Sequence, residues 1–292
     1  MVNYLAKHPD NLKLGGETRC MSLLFCDLRG FTAISERYKS DPQALTQLLH
    51  RFLTPMTDLI MSRRGTIDKY MGDCIMAFWN APLVDANHAD HVCGSALAMI
   101  AELERINAVL TAEAAAGHHE FEPLKLGVGL NTGECIVGNM GSDQRFDYSV
   151  LGDAVNLAAR LETHSKTYNV AIVIGEATHV MAPSWAAIEL DWITVYGKQE
   201  AVQIYTLLGD STFAQSAEFQ ALHQEHEAML GCYRAQDWLG AAAALACCRG
   251  REVRLEPVYD VYEERIAITP RTHRARIGTV CSSRHPSSGL RG

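Results

Sequence analysis

The chain has 292 residues, enough for one sizeable domain with an appendage, and its apolar fraction of 48% is ordinary for a globular protein. Residues 271–292 hold five arginines and no acid, and the remainder has 21 basic against 34 acidic residues, a net charge of −13 that argues against general nucleic-acid binding. Nine scattered cysteines without a C-x-x-C pair exclude an obvious zinc site and favour a reducing, cytosolic compartment, and no apolar run is long enough to span a membrane.

The first half of the chain predicts a strand, two helices and a hairpin after a polar lead-in segment over residues 1–18. A short apolar run predicts the first strand over 21–27, and a short helix is expected from 31 to 39. Asp41 and Pro42 have the residue types of a helix cap and first turn, and helical spacing of apolar residues continues to Gly65. Two further strands, Thr66 to Tyr70 and Cys74 to Trp79, flank a Gly-Asp turn and predict a β-hairpin.

The second half predicts a long alanine-rich helix from 85 to 116, then two strands over 124–131 and 135–139 separated by a Thr-Gly-Glu turn. A strand over 146–151, a helix from 152 to about 164, a strand over 170–174 and a closing hairpin over 187–208 follow. The order β-α-α-β-β-α-β predicts an α+β, ferredoxin-like fold with helices packed on one face of the sheet.

From about residue 211 the pattern becomes purely helical. We therefore predict a catalytic domain over 19–210, a helical appendage over 211–268 and a tail over 269–292. The tail is rich in Ser, Arg, Pro and Gly and is expected to be disordered.

Two aspartates stand next to apolar strand patterns. Asp27 ends the first strand, and Asp73 follows a glycine in the hairpin turn. A carboxylate at such a position is costly to bury alone, so two that converge would make a site for hard cations, which take oxygen ligands. The alternative is that each aspartate simply caps a turn.

Three sequence blocks decide between these readings. They are FCDLRGFT at 25–32, KYMGD at 69–73 and GDAVNLAAR at 152–160. In this order and at this spacing they resemble the signature blocks of the class III adenylate and guanylate cyclase family, over about residues 15–209. The resemblance implies a nucleotide cyclase fold and two divalent metal ions, Mg²⁺ or Mn²⁺, bridging a nucleoside triphosphate.

By the same resemblance, Asp27 and Asp73 match the metal aspartates and the backbone carbonyl of Leu28 a further ligand. The substrate's phosphates would face the amide groups of the helix that opens at Gly30, Phe31 and Thr32, since a helix start favours anions. Asn156 and Arg160 lie four residues apart on one helix face and match the transition-state pair of the family. Without the block around them, they would be an unremarkable surface pair.

Lys69 and Ser149 match the residues that read the base. A lysine can donate to adenine N1, and a serine can accept from the 6-amino group, although its hydroxyl can also donate. The family usually places a phosphate-binding lysine where this chain has Tyr196, so Lys198 is the candidate substitute.

The resemblance implies a homodimer in which one chain supplies the metal aspartates and its twin supplies the base-reading and transition-state residues. The expected function is conversion of ATP to 3′,5′-cyclic AMP and pyrophosphate in second-messenger signalling in the cytoplasm. Alternatives are a guanylate cyclase, or a catalytically weak cyclase-like domain that binds nucleotide and regulates a partner. Family members often carry an upstream membrane sensor domain, which this chain does not contain, so it is either free-standing or the cytoplasmic part of a receptor.

Overall fold

The computed structural model describes residues 15–118, 121–142, 144–194 and 201–268. Three expectations therefore lie outside the described residues: the course of the lead-in before residue 15, the roles of Tyr196 and Lys198, and the disorder of the tail.

The described residues form eight strands and nine α-helices, most of them close to the predicted positions. The strands are β1 (Gly15–Leu28), β2 (Thr66–Met71), β3 (Cys74–Trp79), β4 (Leu126–Gly141), β5 (Phe146–Leu151), β6 (Ile172–Gly175), β7 (Ala186–Thr194) and β8 (Ala201–Gly209). The helices are α1 (Phe31–Arg37), α2 (Pro42–Ser62), α3 (His88–Ala116), α4 (Asp153–Thr167), α5 (Glu176–Met181), α6 (Ser211–Ala214), α7 (Ala217–Arg234), α8 (Trp238–Cys248) and α9 (Glu256–Ile268).

All eight strands belong to one sheet, in the order β2-β3-β1-β4-β6-β8-β7, with β5 paired to β4. The β2–β3–β1–β4 part contains the α+β, ferredoxin-like unit that the element order predicts, since α1, α2 and α3 connect its strands. The predicted helix start is also confirmed, because the Asp41 side chain accepts a hydrogen bond from the Ala44 amide at 3.0 Å. Helix α2 runs on through Pro55 to Ser62 without a break.

The prediction of two strands around a Thr-Gly-Glu turn was wrong, because β4 is a single strand of sixteen residues. It pairs with β1 without interruption, and Thr132 and Gly133 lie opposite Ser22 and Met21 in the middle of that ladder. The Thr132 hydroxyl is buried and hydrogen-bonded to Ser22 Oγ at 2.8 Å. These turn-forming residue types serve close packing and buried hydrogen bonding here, which override their local preference.

The expectation of helices on one face holds only for part of the fold. Helices α2 and α3 share a core with the face of β1 that carries Leu24, Cys26 and Leu28. Helix α4 packs on the opposite face, where Ala158 joins the cluster that contains Leu23 and Phe25. The sheet is thus covered on both sides, because the parallel β4-to-β6 connection that α4 provides must cross one face.

Two glycines in β4 determine how closely α4 approaches. A Cβ atom at Gly129 would lie 2.2 Å from the backbone nitrogen of Glu162, and one at Gly127 would lie 2.8 Å from a carboxylate oxygen of the same residue. Any larger residue would push the helix away from the sheet. This contact sets the position of the candidate site residues Asn156 and Arg160, which α4 carries.

The helices after β8 pack on the outer end of the sheet. Leu190 of β7 and Tyr259 and Tyr262 of α9 belong to one buried cluster, and the Tyr262 hydroxyl donates to the Leu190 carbonyl oxygen at 2.7 Å. The helical nature predicted for 211–268 is confirmed, whereas its standing as a separate appendage stays a prediction. Within the described ranges, the structure holds no helix that is both long and apolar enough to cross a membrane.

Candidate active site

The structure brings Asp27 and Asp73 together, and we call them the carboxylate pair. Asp27 lies at the end of β1, and Asp73 follows Gly72 in the tight β2–β3 turn, where Gly72 has a φ of 68° that favours glycine. The pairing of β1 with β3 places the hairpin beside the end of β1, with Cys26 opposite Ile75. The Leu28 amide donates a hydrogen bond to Asp73 Oδ2 at 3.1 Å, which fixes one carboxylate oxygen.

The electrostatics of the carboxylate pair are unfavourable without a counter-charge. Burial raises the pKa of Asp73, and the adjoining Asp27 carboxyl, within hydrogen-bonding reach, raises it further, to about 7. The hydrogen bond from the Leu28 amide acts in the opposite direction but is outweighed. Two carboxylates held this closely disfavour double ionisation. They therefore gain from a cation between them.

Two further charged side chains, Lys166 and Glu162, lie beside this pair, and the sequence did not predict them there. Lys166 Nζ lies 3.6 Å from Asp27 Oδ2 and 3.5 Å from Glu162 Oε1. Glu162 is buried against β4, and burial raises its pKa. The spacing of Glu162 and Lys166 on α4 predicts their own ion pair, but only the packing of α4 against β1 places the ammonium group beside Asp27.

Arg29, two residues after Asp27, holds this arrangement in place. Its guanidinium donates to the Ser165 carbonyl oxygen at 2.9 Å and to Asn169 Oδ1 at 2.7 Å, and it also contacts the Val170 carbonyl oxygen. These bonds satisfy the carboxyl end of α4, where backbone carbonyls lack partners within the helix. They also fix α4 relative to the end of β1.

The donor set fits hard divalent cations. Two carboxylates and the backbone carbonyl of Leu28 are all oxygen ligands, which Mg²⁺ and Mn²⁺ prefer. Across the described ranges, no group of three or more His, Cys, Asp or Glu side chains is suited to holding a metal, so the pair is a partial ligand set. The close approach of the two carboxyl groups is the feature that favours a bound cation.

Asn156 and Arg160 lie on the side of α4 that faces away from its own sheet. The buried residues of the helix are Leu157, Ala158, Leu161, Glu162 and Ser165. Asn156 is exposed and Arg160 is half-buried. The pair thus shares a helix face, as the sequence predicts, and that face is presented outwards.

Lys69 and Ser149 meet through a third residue, Asp68, and we call these three the Asp68 cluster. Ser149 Oγ donates to Asp68 Oδ2 at 3.1 Å, and Lys69 Nζ lies 3.7 Å from the same oxygen. The register of β2 against β3 shifts between Ile67 and Lys69, so Asp68 has no cross-strand partner. Its side chain has no exposed surface. Sequence reasoning missed Asp68, and its position directly before Lys69 was the only signal.

The predicted phosphate-facing segment lies between Asp27 and α1. Gly30 has a φ of 71°, in the left-handed region that glycine tolerates, and its carbonyl oxygen accepts from the Ala33 amide at 2.9 Å. Gly30 and Thr32 are exposed and Phe31 is half-buried. The first amide groups of α1 have no partner within the helix, which is the general property of a helix start.

A mixed sheet with helices on both faces, and acidic residues meeting at one edge, are features of a nucleotide cyclase catalytic domain. The family model for the adenylate and guanylate cyclase catalytic domain matches residues 16–209. The chain belongs to this class III cyclase family.

Known relatives support the same assignment. The adenylate cyclase 1 of Rhizobium meliloti is 32% identical over 65% of this chain and 27% of its own length. The adenylate cyclase of Anabaena cylindrica is 33% identical over 67% of this chain and 38% of its own length. The chain therefore spans well under half of these two relatives.

Solved structures of both specificities are similar to this chain. The adenylyl cyclase CyaB from P. aeruginosa is 34% identical with a TM-score of 0.60, over 68% of this chain and 97% of that one. The guanylyl cyclase Cya2 is 31% identical with a TM-score of 0.59, over 68% of this chain and 95% of that one. Overall similarity thus shows the cyclase fold without separating the two substrates.

Proposed function

We propose that this chain is an adenylate cyclase that converts ATP to 3′,5′-cyclic AMP and pyrophosphate at a homodimer interface. The observation that carries the proposal is the meeting of Asp27 and Asp73 at one sheet edge of a cyclase-family fold, with repulsion that a cation would relieve. Asp27, Asp73 and the Leu28 carbonyl would hold two divalent ions. Such ions lower the pKa of an attacking hydroxyl and stabilise both the attacking and the leaving oxygen.

In the proposed reaction, the ribose 3′-oxygen attacks the α-phosphorus in line with the departing pyrophosphate. The 3′-hydroxyl releases its proton to solvent, its oxygen forms a bond to the α-phosphorus that closes the cyclic phosphodiester, and the bond from the α-phosphorus to the bridging oxygen breaks, so that pyrophosphate leaves. Arg160 offsets the charge that develops on the reacting phosphate, and Asn156 orients the ribose. The amide groups of Gly30, Phe31 and Thr32, at the start of α1, face the phosphates, where free helix amides favour negative charge.

We propose a shared site because of the orientation of α4. Lys166 and Glu162 lie beside the carboxylate pair of their own chain, whereas Asn156 is exposed and lies away from the buried residues of the helix. Asn156 and Arg160 would therefore reach a substrate held by a second copy, and a two-fold axis would create two such sites. The outward face of α4 supports this assembly, and a lone chain should be inactive.

Guanylate cyclase is the second candidate, since Cya2 is about as similar to this chain as CyaB. Lys69 favours the adenylate reading because an ammonium group only donates, and adenine N1 is an acceptor whereas guanine N1 carries a hydrogen. Lys198 stays a candidate phosphate ligand. The third candidate is a cyclase-like regulatory domain without turnover. It is suggested by Tyr196, which stands where the family usually has a phosphate-binding lysine.

The test is to incubate the purified full chain with ATP or GTP and Mn²⁺ and to identify the cyclic product by mass. Oligomeric state is measured on the same sample. Cyclic AMP from a dimeric sample is the expected result. Exclusive formation of cyclic GMP would support the second candidate, and nucleotide binding without turnover in a confirmed dimer would support a regulatory domain.

A further inference from the structure

The Asp68 cluster contains a hydrogen bond whose direction matters for substrate choice. Ser149 is a buried residue, and its hydroxyl has one proton and two acceptor lone pairs. The proton lies on the bond to Asp68 Oδ2, since an ionised carboxylate can only accept. Ser149 therefore has acceptor capacity left and no donor.

We infer that Asp68 is the positioning residue that makes Ser149 an acceptor and thereby selects adenine over guanine, an inference that rests on the proposed function. Adenine presents an amino group at position 6, which donates to a Ser149 lone pair. Guanine presents a carbonyl oxygen there, which would face a lone pair and lose its hydrogen bond. Serine alone is ambiguous between the two bases, and its buried neighbour removes the ambiguity.

Asp68 also restrains Lys69. The ammonium group lies 3.7 Å from the oxygen that accepts from Ser149, so one carboxylate oxygen links the two base-reading residues. Lys69 itself is exposed, and an exposed lysine has high rotamer entropy. A fixed negative charge beside it reduces the number of positions that its ammonium group adopts.

The environment of Asp68 indicates that its carboxylate does not stabilise the folded protein. Its side chain has no exposed surface, and its Oδ1 atom is buried without a hydrogen-bond partner among the described residues. A half-satisfied buried carboxylate is a net cost to folding. The exposed Asp147, on the same strand as Ser149, is the other acid whose charge acts on Asp68.

The test compares Asp68→Asn with wild type, using kcat/KM for ATP and for GTP in Mn²⁺. The asparagine amide can donate to Ser149 Oγ, which frees the hydroxyl proton to donate to guanine. We expect the ATP-to-GTP ratio to fall about tenfold, the usual size of one mismatched buried hydrogen bond. Thermal stability should stay the same or rise.

Three further variants distinguish the orienting of Ser149 by Asp68 from a general effect of Asp68 on the site. Asp147→Asn removes a nearby negative charge without touching Ser149 and should change the ratio less than about twofold. Ser149→Thr retains the hydroxyl and should retain the ATP preference. Ser149→Ala removes the hydroxyl through which Asp68 acts on position 6 of the base, so adding Asp68→Asn to it should lower the ratio much less than Asp68→Asn does in wild type, with only the restraint on Lys69 left to lose.

The inference is overturned if Asp68→Asn leaves the ratio unchanged, or lowers it equally in the Ser149→Ala background. Equilibrium affinities for nonhydrolysable ATP and GTP analogues provide a readout that needs no turnover. If wild type binds nucleotide but makes no product, the proposed function fails while the affinity ratio still tests Asp68. Wild type that prefers GTP, or that binds neither analogue, contradicts the inference directly.

Discussion

Two buried aspartates in this chain have opposite surroundings, and the contrast explains their different roles. Asp73 meets another carboxylate, so burial and repulsion raise its pKa to about 7. Burial also raises the pKa of Asp68, but its partners are an ammonium group and a hydroxyl, which offset part of that rise. The carboxylate pair would therefore gain from a cation, whereas one oxygen of Asp68 already meets a hydroxyl and an ammonium group that it can orient.

The comparison predicts that deleting a member of the carboxylate pair has the largest effect. Asp27→Ala or Asp73→Ala should lower turnover at least about 10³-fold, because charge stabilisation by the metals would be lost. The dimer should remain intact in gel filtration. Asp58→Ala, at an exposed position of α2, is the matched control and should retain activity. Turnover close to wild type in either variant would remove the carboxylates from the mechanism.

Mixing two inactive variants tests whether the carboxylate pair and the outward face of α4 act in the same site. An Asp73→Ala chain combined with an Arg160→Ala chain should recover about a quarter of the wild-type rate. Half of randomly exchanged dimers are mixed, and each mixed dimer has one whole site of two. The rate is compared with each variant alone at equal total concentration, and the absence of rescue despite subunit exchange would contradict shared sites.

Replacing the ammonium group of the Asp68 cluster by a carboxylate would give that cluster two like charges, as in the carboxylate pair. Lys69→Glu places a second carboxylate beside Asp68, and we expect kcat/KM for ATP to fall about 10²-fold because adenine N1 loses its donor and like charges repel. Lys39→Glu makes the same charge change at an exposed position elsewhere. An unchanged preference for ATP over GTP would remove Lys69 from base reading.

The pKa of Asp73 gives the carboxylate pair a measurable pH dependence. An acid whose pKa is raised by folding contributes stability below its unfolded value of about 4, and that contribution is lost as the pH rises through about 7. In EDTA, the Tm of wild type should therefore fall by a few degrees from pH 5 to 8 relative to Asp73→Asn. Mn²⁺ added at pH 8 should reverse the loss, and parallel Tm curves for the two proteins would contradict the assignment.

Removing the Lys166 ammonium group should have the smallest effect of these changes. This group lies at the carboxylate pair, in a place that solvent or metal would otherwise occupy. Lys166→Met should raise Mn²⁺ affinity about two- to fivefold, since the exposed ammonium competes weakly for Asp27. Affinity is measured from the electron paramagnetic resonance signal of free Mn²⁺, with a saturating nonhydrolysable ATP analogue. Lys125→Met, which removes an exposed charge from a neighbouring loop, should leave the affinity unchanged.

Local chemistry allowed much of this molecule to be predicted. Asp41 before Pro42 predicts a helix start, and Gly72 before Asp73 predicts a hairpin turn, because capping and positive φ are properties of a few neighbouring residues. The prediction of a turn at Thr132 and Gly133 also relied on the preferences of neighbouring residues, and it was wrong. These residue types prefer a turn, but fourteen continuous pairings with β1 outweigh that preference.

The sequence by itself determined the family, most of the order of the elements and the candidate residues Asp27, Asp73, Asn156 and Arg160, since short motifs carry this information. Only the tertiary structure decided that α4 lies on the second face of the sheet, that Lys166 reaches Asp27 and that Asp68 joins Lys69 to Ser149. The Asp68 contact joins residues 81 positions apart. Such contacts depend on strand register and helix packing, which arise from the whole fold and not from any local pattern.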